Sequence, residues 1–261
     1  DAVARPLLDA WEAGGGAETY DSSSLMAIGS GGAPLTPALR RRLAATFPNC
    51  VVNDGFGSSE TGAQGARQGL SADDADDGPP KFNPLDDNTL VLDDDLRPVE
   101  PGSETTGRVA LRGHIPLGYH KDPEKTAQTF VEADGHRWVV TGDMARVEAD
   151  GTIVLLGRGS VCINTGGEKV YPEEVEAVLK AHEGVYDAVV VGVDDERWGQ
   201  SVAAVVQAAD GASATTEALV AHCKAHLAGY KVPRTVTFVD EVVRSPVGKA
   251  DYRWAKAAAT A

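Results

Sequence analysis

Cysteine is scarce: the 261 residues hold three (Cys50, Cys162 and Cys223), far apart and in no Cys-x-x-Cys pair. That set fits neither a disulfide framework nor a cysteine zinc site, and a reducing, cytoplasmic compartment is the simplest expectation. Long apolar runs are missing too. Nothing approaches the ~18 consecutive apolar residues of a membrane helix, so no transmembrane segment is expected, and the opening DAVARPLLDA has none of the layout of a signal peptide. The chain begins on Asp1 rather than Met, so a processed chain or a segment of something longer is expected. Positive charge is short: 24 Lys and Arg stand against 39 Asp and Glu, for a formal net charge of -15. A surface of that sign repels phosphate backbones and anionic membranes, which disfavours nucleic-acid binding. A small anionic ligand stays open, because one placed cation and a few backbone amides outweigh a distant field.

What is present is glycine, 29 residues of it, well above the ~7% of an average chain. The remaining composition (42% hydrophobic, 24% charged) is that of an ordinary globular protein, and the length allows one to two domains. PLLDAWEA reads as a helix before a Gly-rich turn, and SSLMAIGSGGAPL as an apolar strand running into a glycine loop. PALRRRLAATF has helical spacing, with Leu39, Leu43 and Phe47 on one face. CVVNDGFGSSETG is a second strand ending in glycines and hydroxyls. Two strands that each end in a glycine loop predict a sheet whose carboxyl edge forms a ligand crevice. SADDADDGPP reads as a solvated loop without the spacing of a calcium site. Short β-type stretches follow from Thr89, and ADG marks a hairpin between MARVE and TIVLLG. After Arg158 the texture changes to a compact α+β pattern of about a hundred residues. YPEEVEAVLKAH is a helix with Pro172 in its first turn; DAVVVGV, SVAAVVQA and RTVTFVD are strands; TEALVAHCKAHLAG and ADYRWAKAAA are helices.

Taken singly, each glycine cluster is ambiguous. GSGGAP fits neither the phosphate-binding P-loop nor the dinucleotide fingerprint, and a tight turn explains it as well. The ordered set is more specific: GGAPL, GFGSSETG, TGD, then GR followed by NTGGEKVYPEEVE, and last SPVGK. In that order the motifs resemble those of the adenylate-forming superfamily, which comprises acyl- and aryl-CoA synthetases, luciferases and peptide-synthetase adenylation domains. Phe56-Gly57-Ser58-Ser59-Glu60 is similar to its aromatic-Gly-x-Ser/Thr-Glu motif, while Thr141-Gly142-Asp143, Arg158 and the SPVGK run ending at Lys249 are similar to later ones. HKDPEKT, NTGGEKVYPEEVE and DDERWGQ look most like fatty acyl-CoA synthetases.

The resemblance implies a fold and a set of roles. Residues 1–157 would be the α/β and β-rich end of a large adenylation domain, and 158–261 a small, mobile α+β C-terminal domain hinged near Ser160. In such chemistry a carboxylate attacks the α-phosphate of ATP, and a thiol then attacks the mixed anhydride. An anion is brought to a polyanion, which calls for a cation, Mg2+ and oriented donors. Lys249 would bridge the carboxylate and the α-phosphate. Glu60 would ligate Mg2+, with Ser58, Ser59 and the backbone of Gly32, Ala33, Pro34, Gly55 and Gly57 around the nucleotide. Phe56 would stack on adenine and Asp54 accept from its amino group; a core aromatic and a turn cap are the plain readings of the same two residues. Asp143 would bind the ribose hydroxyls, where a hairpin cap is the rival, and Arg158 would reach ribose or phosphate. Gly166 and Gly167 would line a pantetheine tunnel, having no Cβ to obstruct it, although a plain hairpin needs them equally. Ser160 departs from the Asp or Lys usual at the hinge. Cys162 lies in an apolar strand pattern with no matching histidine, so it is not read as a nucleophile.

The superfamily's earlier phosphate loop, of the kind SSGTTGxPKG, has no counterpart in these residues. The expectation is therefore the carboxy-terminal half of an ATP-dependent acyl-CoA ligase that takes a small carboxylic acid, a fatty acid by the resemblance, with ATP, Mg2+ and coenzyme A. Two alternatives stand beside it: an acyl-AMP ligase that loads a carrier protein, and a non-catalytic nucleotide-binding fragment.

Overall fold

The architecture was taken from a computed structural model, which describes residues 1–33, 35–67, 79–212, 214–246 and 248–261. Most of the acidic stretch read as a solvated loop therefore lies outside the described residues, as do Pro34 and Val247.

The chain opens on α1 (Ala4–Ala13), then β1 (Ala27–Gly31), α2 (Pro37–Thr46) and β2 (Val51–Ser58). β1 and β2 pair in parallel, Ala27 opposite Val51, so α2 is the crossover of a small βαβ unit. Pro37 starts α2 where its missing N–H costs nothing. Leu39 and Leu43 then close over Leu8, Leu35, Phe47 and Val52 as one apolar cluster, as the helical spacing requires.

β3 (Gly62–Arg67) turns back antiparallel on β2, a strand the sequence reading does not foresee. The GFGSSETG motif is thus a hairpin tip rather than a loop after a strand. A knot of hydroxyls holds it: Thr61 Oγ1 accepts from Ser58 N at 3.0 Å, and Ser58 Oγ accepts from Glu60 N at 3.2 Å. Gly57 is obligatory here, because a Cβ would collide with the carbonyl oxygen of Gly62 across the hairpin.

From β3 the sheet continues through β4 (Lys81–Pro84), β5 (Thr89–Leu92), β6 (Gly107–Arg112), β7 (Phe130–Ala133), β8 (His136–Val147) and β9 (Ile153–Arg158). Its nine strands run in the order β1-β2-β3-β4-β9-β8-β6-β5, with β7 on β8. The ADG hairpin joins β8 and β9, with Gly151 at φ +88°. A short helix, α3 (Pro123–Thr129), sits between β6 and β7 and is capped by Asp122, which accepts from Lys125 N at 3.0 Å.

A second sheet begins after the single turn Gly159–Val161. It has five strands: β10 (Ile163–Thr165), β11 (Glu168–Val170), β12 (Val185–Asp195), β13 (Gly199–Ala208) and β14 (Thr235–Val239). α4 (Pro172–Ala181) and α5 (Thr216–His226) cover one face, packing Val175, Leu179 and Leu219 on Val190, Val202 and Val206. α6 (Tyr252–Ala259) covers the other, against Val189, Val191 and Val205. β12 is buried on both faces, which is why DAVVVGV reads as an unbroken apolar run. A large sheet-rich part followed by a small α+β C-terminal domain agrees with the expected fold class. Among the described residues no helix is long and apolar enough to cross a membrane.

Two consequences are measurable. Gly57→Ala should lower stability by ~2 kcal/mol or more, since the backbone at the hairpin tip cannot yield without breaking pairing; an unchanged urea midpoint would contradict the collision. Glu176 of α4 is 5% exposed and accepts from Val190 N at 3.0 Å. Burial pushes its carboxyl from 4.5 up to about 7, against the offsetting charge of Lys180. Between those values the folded state keeps a proton that the unfolded chain has released, so stability falls as pH rises through the window. Glu176→Gln should flatten that fall, read as the difference between urea midpoints on either side of it.

Candidate active site

The ends of β1 and β2 and the tip of the β2–β3 hairpin enclose a crevice of about 450 Å³. Its walls are Ser30, Gly31, Gly32, Gly55, Phe56, Gly57, Ser58, Ser59, Gly62 and Ala63 from the first sheet, and Lys249 from the second. Seven of the residues singled out from sequence meet here: Gly32, Gly55, Phe56, Gly57, Ser58, Ser59 and Lys249. The wall is small residues and backbone, so a bulky anion can come close to N–H groups. Phe56 is half-buried, with its ring 5.7 Å from that of Phe82, so it packs against the core and faces the crevice at once.

Lys249 arrives on a closed turn. Gly248 N donates to Ser245 O at 2.8 Å, Lys249 N to Ser245 Oγ at 3.0 Å, and Ser245 N to Lys249 O at 2.9 Å. Gly248 supplies the left-handed φ of +79° that closes the turn. Arg244, one residue before, is anchored by a two-pronged pair with Asp187 on β12, at 2.6 and 2.7 Å. Burial drives Asp187 upward, but its bond to Arg244 and the charge of Lys180 outweigh that and hold it below the ordinary carboxylate range. The backbone of the turn is therefore fixed from the core of the small domain, while the Lys249 side chain is exposed and, among the described residues, has no carboxylate partner.

Glu60 projects from the hairpin tip and accepts from the Tyr119 hydroxyl at 2.5 Å, which holds its carboxyl below the ordinary range. Among the described residues no group of three or more His, Cys, Asp or Glu is placed to hold a metal ion. A lone carboxylate beside a phosphate-sized crevice does suit Mg2+, which keeps several waters and takes one or two carboxylates plus substrate phosphates. Asp143, within β8, stands opposite Arg158 at the end of β9, with Arg158 Nε 3.3 Å from Asp143 Oδ1.

Other residues lie elsewhere. Asp54 turns away from the crevice: it is 2% exposed and paired with buried Arg40 at 3.4 Å. It shares the inner face of β2 with Val52, so its carboxylate is occupied beneath the sheet instead of being presented to a ligand. Ala33 does not line the crevice, and Pro34 is outside the described residues. Gly166 and Gly167 form the exposed β10–β11 turn, both at positive φ, with Gly166 close against Trp198; they take no part in the crevice. Ser160 is exposed in the turn between the two sheets. Burial raises the Cys162 thiol, which agrees with its exclusion as a nucleophile.

Sequence reasoning missed Tyr119 and the Arg244–Asp187 anchor. These contacts bridge 59 and 57 positions, and no local pattern carries such a pairing.

The family described as AMP-binding enzyme matches residues 2–120, and the AMP-binding enzyme C-terminal domain matches residues 174–249. The 3-oxocholest-4-en-26-oate–CoA ligase of Rhodococcus rhodochrous is 52% identical over 258 residues, which are 98% of this chain and 46% of that protein. The medium/long-chain-fatty-acid–CoA/3-oxocholest-4-en-26-oate–CoA ligase of Mycobacterium tuberculosis is 52% identical over 256 residues, with the same coverage of 98% and 46%. Among solved structures, the amide bond synthetase McbA of Marinactinospora thermotolerans superposes with a TM-score of 0.77 at 28% identity, over 97% of this chain and 54% of that one. The chain thus spans a little under half the length of the curated relatives it matches. With a glycine-walled crevice, a lysine delivered to it from a second sheet and both family matches in sequence order, the chain belongs to the adenylate-forming superfamily of AMP-binding enzymes.

Proposed function

We propose that the full-length protein carrying this chain is an AMP-forming acyl-CoA ligase. The observation that carries the reading is the meeting of Lys249, from the small domain, with the glycine walls of the first sheet. In the first step a carboxylate oxygen of the acid attacks the α-phosphorus of ATP. The bond to the pyrophosphate oxygen breaks, leaving an acyl-adenylate and pyrophosphate. In the second step the sulfur of CoA attacks the acyl carbon, AMP leaves with the bonding pair, and the thiol proton passes to solvent.

Each group has a task set by its surroundings. The Lys249 ammonium, held at the mouth of the crevice with no carboxylate partner among the described residues, would sit between the incoming carboxylate and the α-phosphate and stabilise the charge that builds there. The Ser58 and Ser59 hydroxyls and the amides of Gly32, Gly55 and Gly57 would donate to phosphate oxygens. Phe56 would offer its exposed face to adenine. Asp143 would accept from the ribose hydroxyls, with Arg158 steadying it or reaching a phosphate. Glu60 would hold Mg2+, whose chemistry is to neutralise the phosphate oxygens of the leaving group. Asp54 takes no acceptor role toward adenine, because its carboxylate is engaged by Arg40.

The small domain (158–261) would then turn about the Arg158–Ser160 segment, withdrawing Lys249 and bringing the Gly166–Gly167 turn to the acyl carbon as part of the pantetheine path. A fatty acid or a comparably apolar acid is the substrate class supported by the named relatives, and the small residues Gly62 and Ala63 leave room for an acyl chain. ATP and CoA as substrates, and three cysteines that are all free thiols, fit a cytoplasmic enzyme.

In the full-length protein, Lys249→Ala should reduce acid-dependent ATP–pyrophosphate exchange by roughly a hundredfold or more, while thioester formation from supplied acyl-adenylate largely survives. Equal loss of both steps would count against the assignment. Offering free CoA beside a phosphopantetheinyl carrier protein decides the acceptor, and faster turnover with the carrier would replace ligation to CoA by carrier loading.

A further inference from the structure

Glu60 stands on a hairpin tip, and its side chain has three rotatable bonds. An acid so placed, on a turn at the edge of a sheet, ordinarily samples several rotamers and must be ordered each time a ligand binds. Here it is held by a group from a distant part of the chain, and that group is itself immobilised with unusual thoroughness.

Tyr119 lies on the loop between β6 and α3, 59 positions from Glu60, and its hydroxyl donates to Glu60 Oε1 at 2.5 Å. Its own backbone N donates to Thr126 Oγ1 at 2.9 Å, and that hydroxyl in turn donates to Asp122 O at 2.6 Å. The Lys125 ammonium sits 4.1 Å from the centre of the Tyr119 ring. Phe130 meets the same ring edge-on at 5.8 Å. On the preceding residues, Arg137 forks onto the carbonyls of Pro116 and Leu117 at 2.8 and 2.7 Å. Gly118, at φ +153°, lies so close to the Thr126 side chain that any Cβ would strike it. Contacts from α3, β7 and β8 therefore aim one phenol at one carboxylate.

We propose that Tyr119 is a positioning residue for Glu60: it holds one carboxylate oxygen so that the other is presented to the divalent cation of the bound nucleotide. An ionised carboxylate accepts on both oxygens, so a single short bond fixes the rotamer without consuming the ligand. Thr129 also bonds to the phenol oxygen, and the Lys125 ammonium over the ring face places its charge near Glu60. The inference rests on the AMP-forming reading of the site given above.

The test is a double-mutant cycle on the full-length protein, with Tyr119→Phe and Glu60→Gln singly and together. Phe keeps the ring, so the edge contact with Phe130 and the stacking under Lys125 persist, and a thermal melt close to wild type is expected. ATP binding is titrated by calorimetry with Mg2+ and again in excess EDTA. Tyr119→Phe should weaken binding about 3- to 10-fold with Mg2+ and leave metal-free binding unchanged. In the Glu60→Gln background it should add nothing. The Mg2+ concentration for half-maximal pyrophosphate exchange should rise by a similar factor. Equal weakening with and without metal, additive losses in the double variant, or no change at all would each overturn the role. Failure of the wild-type protein to bind ATP or to exchange pyrophosphate would instead defeat the ligase reading on which it rests.

Discussion

One cation has to be built on one sheet and used on another. Lys249 belongs to the small domain by every backbone bond that fixes it, yet its side chain lines a crevice whose remaining walls come from β1, β2 and β3 and their tips. This requirement explains features that otherwise look unrelated. The turn from Ser245 to Lys249 is closed by its own hydrogen bonds, so its shape does not depend on the first sheet. Arg244 locks that turn to Asp187 in the interior of the second, and a two-pronged Arg–carboxylate pair fixes direction as well as distance. A long side chain on a rigid base can then be offered or withdrawn without rebuilding anything. A lysine on a loose loop would bring the same charge with no defined approach.

The same requirement would reconcile a chain of net charge -15 with the polyanionic ligands proposed for it. Between exposed charges the field is screened within ~10 Å at ordinary salt, so the acid-rich surface at a distance hardly matters. What counts is the local wall, and the wall is made of glycines and serines. Gly57 shows the logic most sharply. Its lack of a Cβ is first a folding necessity, since the β2–β3 hairpin could not close around a side chain there. The bare backbone that results would also let a phosphate approach in the proposed reaction. A single residue type thus meets a structural and a chemical demand at once.

Much of this was legible in the sequence. The crossover helix, the double-faced strand of the small domain, its three helices and the ordered motifs all follow from periodicity, turn residues and capping. Local patterns failed where a side chain's direction was decided by its partner. Asp54 shows this: an acid ahead of a glycine motif reads as a ligand or a cap, but strand alternation puts it on the same face as Val52. Buried Arg40 then pairs with it from α2. Tyr119 and Asp187 failed for the complementary reason, because their partners lie more than fifty positions away. β3 was missed because GAQGAR carries too little apolar side chain to announce a strand, and it is held mainly by its pairing on both sides.

The contact between the two parts is of a different kind from the interior of either. Among the described residues, each apolar cluster draws its members from one sheet and its helices, and none mixes the two. Specific polar contacts span the junction. Lys180 reaches Asp1 at 3.2 Å, Tyr186 donates to Asp9 at 3.3 Å under the guanidinium of Arg5, and Glu173 accepts from Arg158 N at 3.3 Å. Glu173 also accepts from Tyr252 at 3.5 Å, so one carboxylate touches both the strand end before the turn and the helix after Lys249. Apolar surfaces that part must both be rewetted, at a cost proportional to their area. Polar groups that part exchange one partner for water and lose little by it. A junction of this composition specifies an orientation at a modest cost of release, which is the property that the proposed rotation about the Arg158–Ser160 segment would demand.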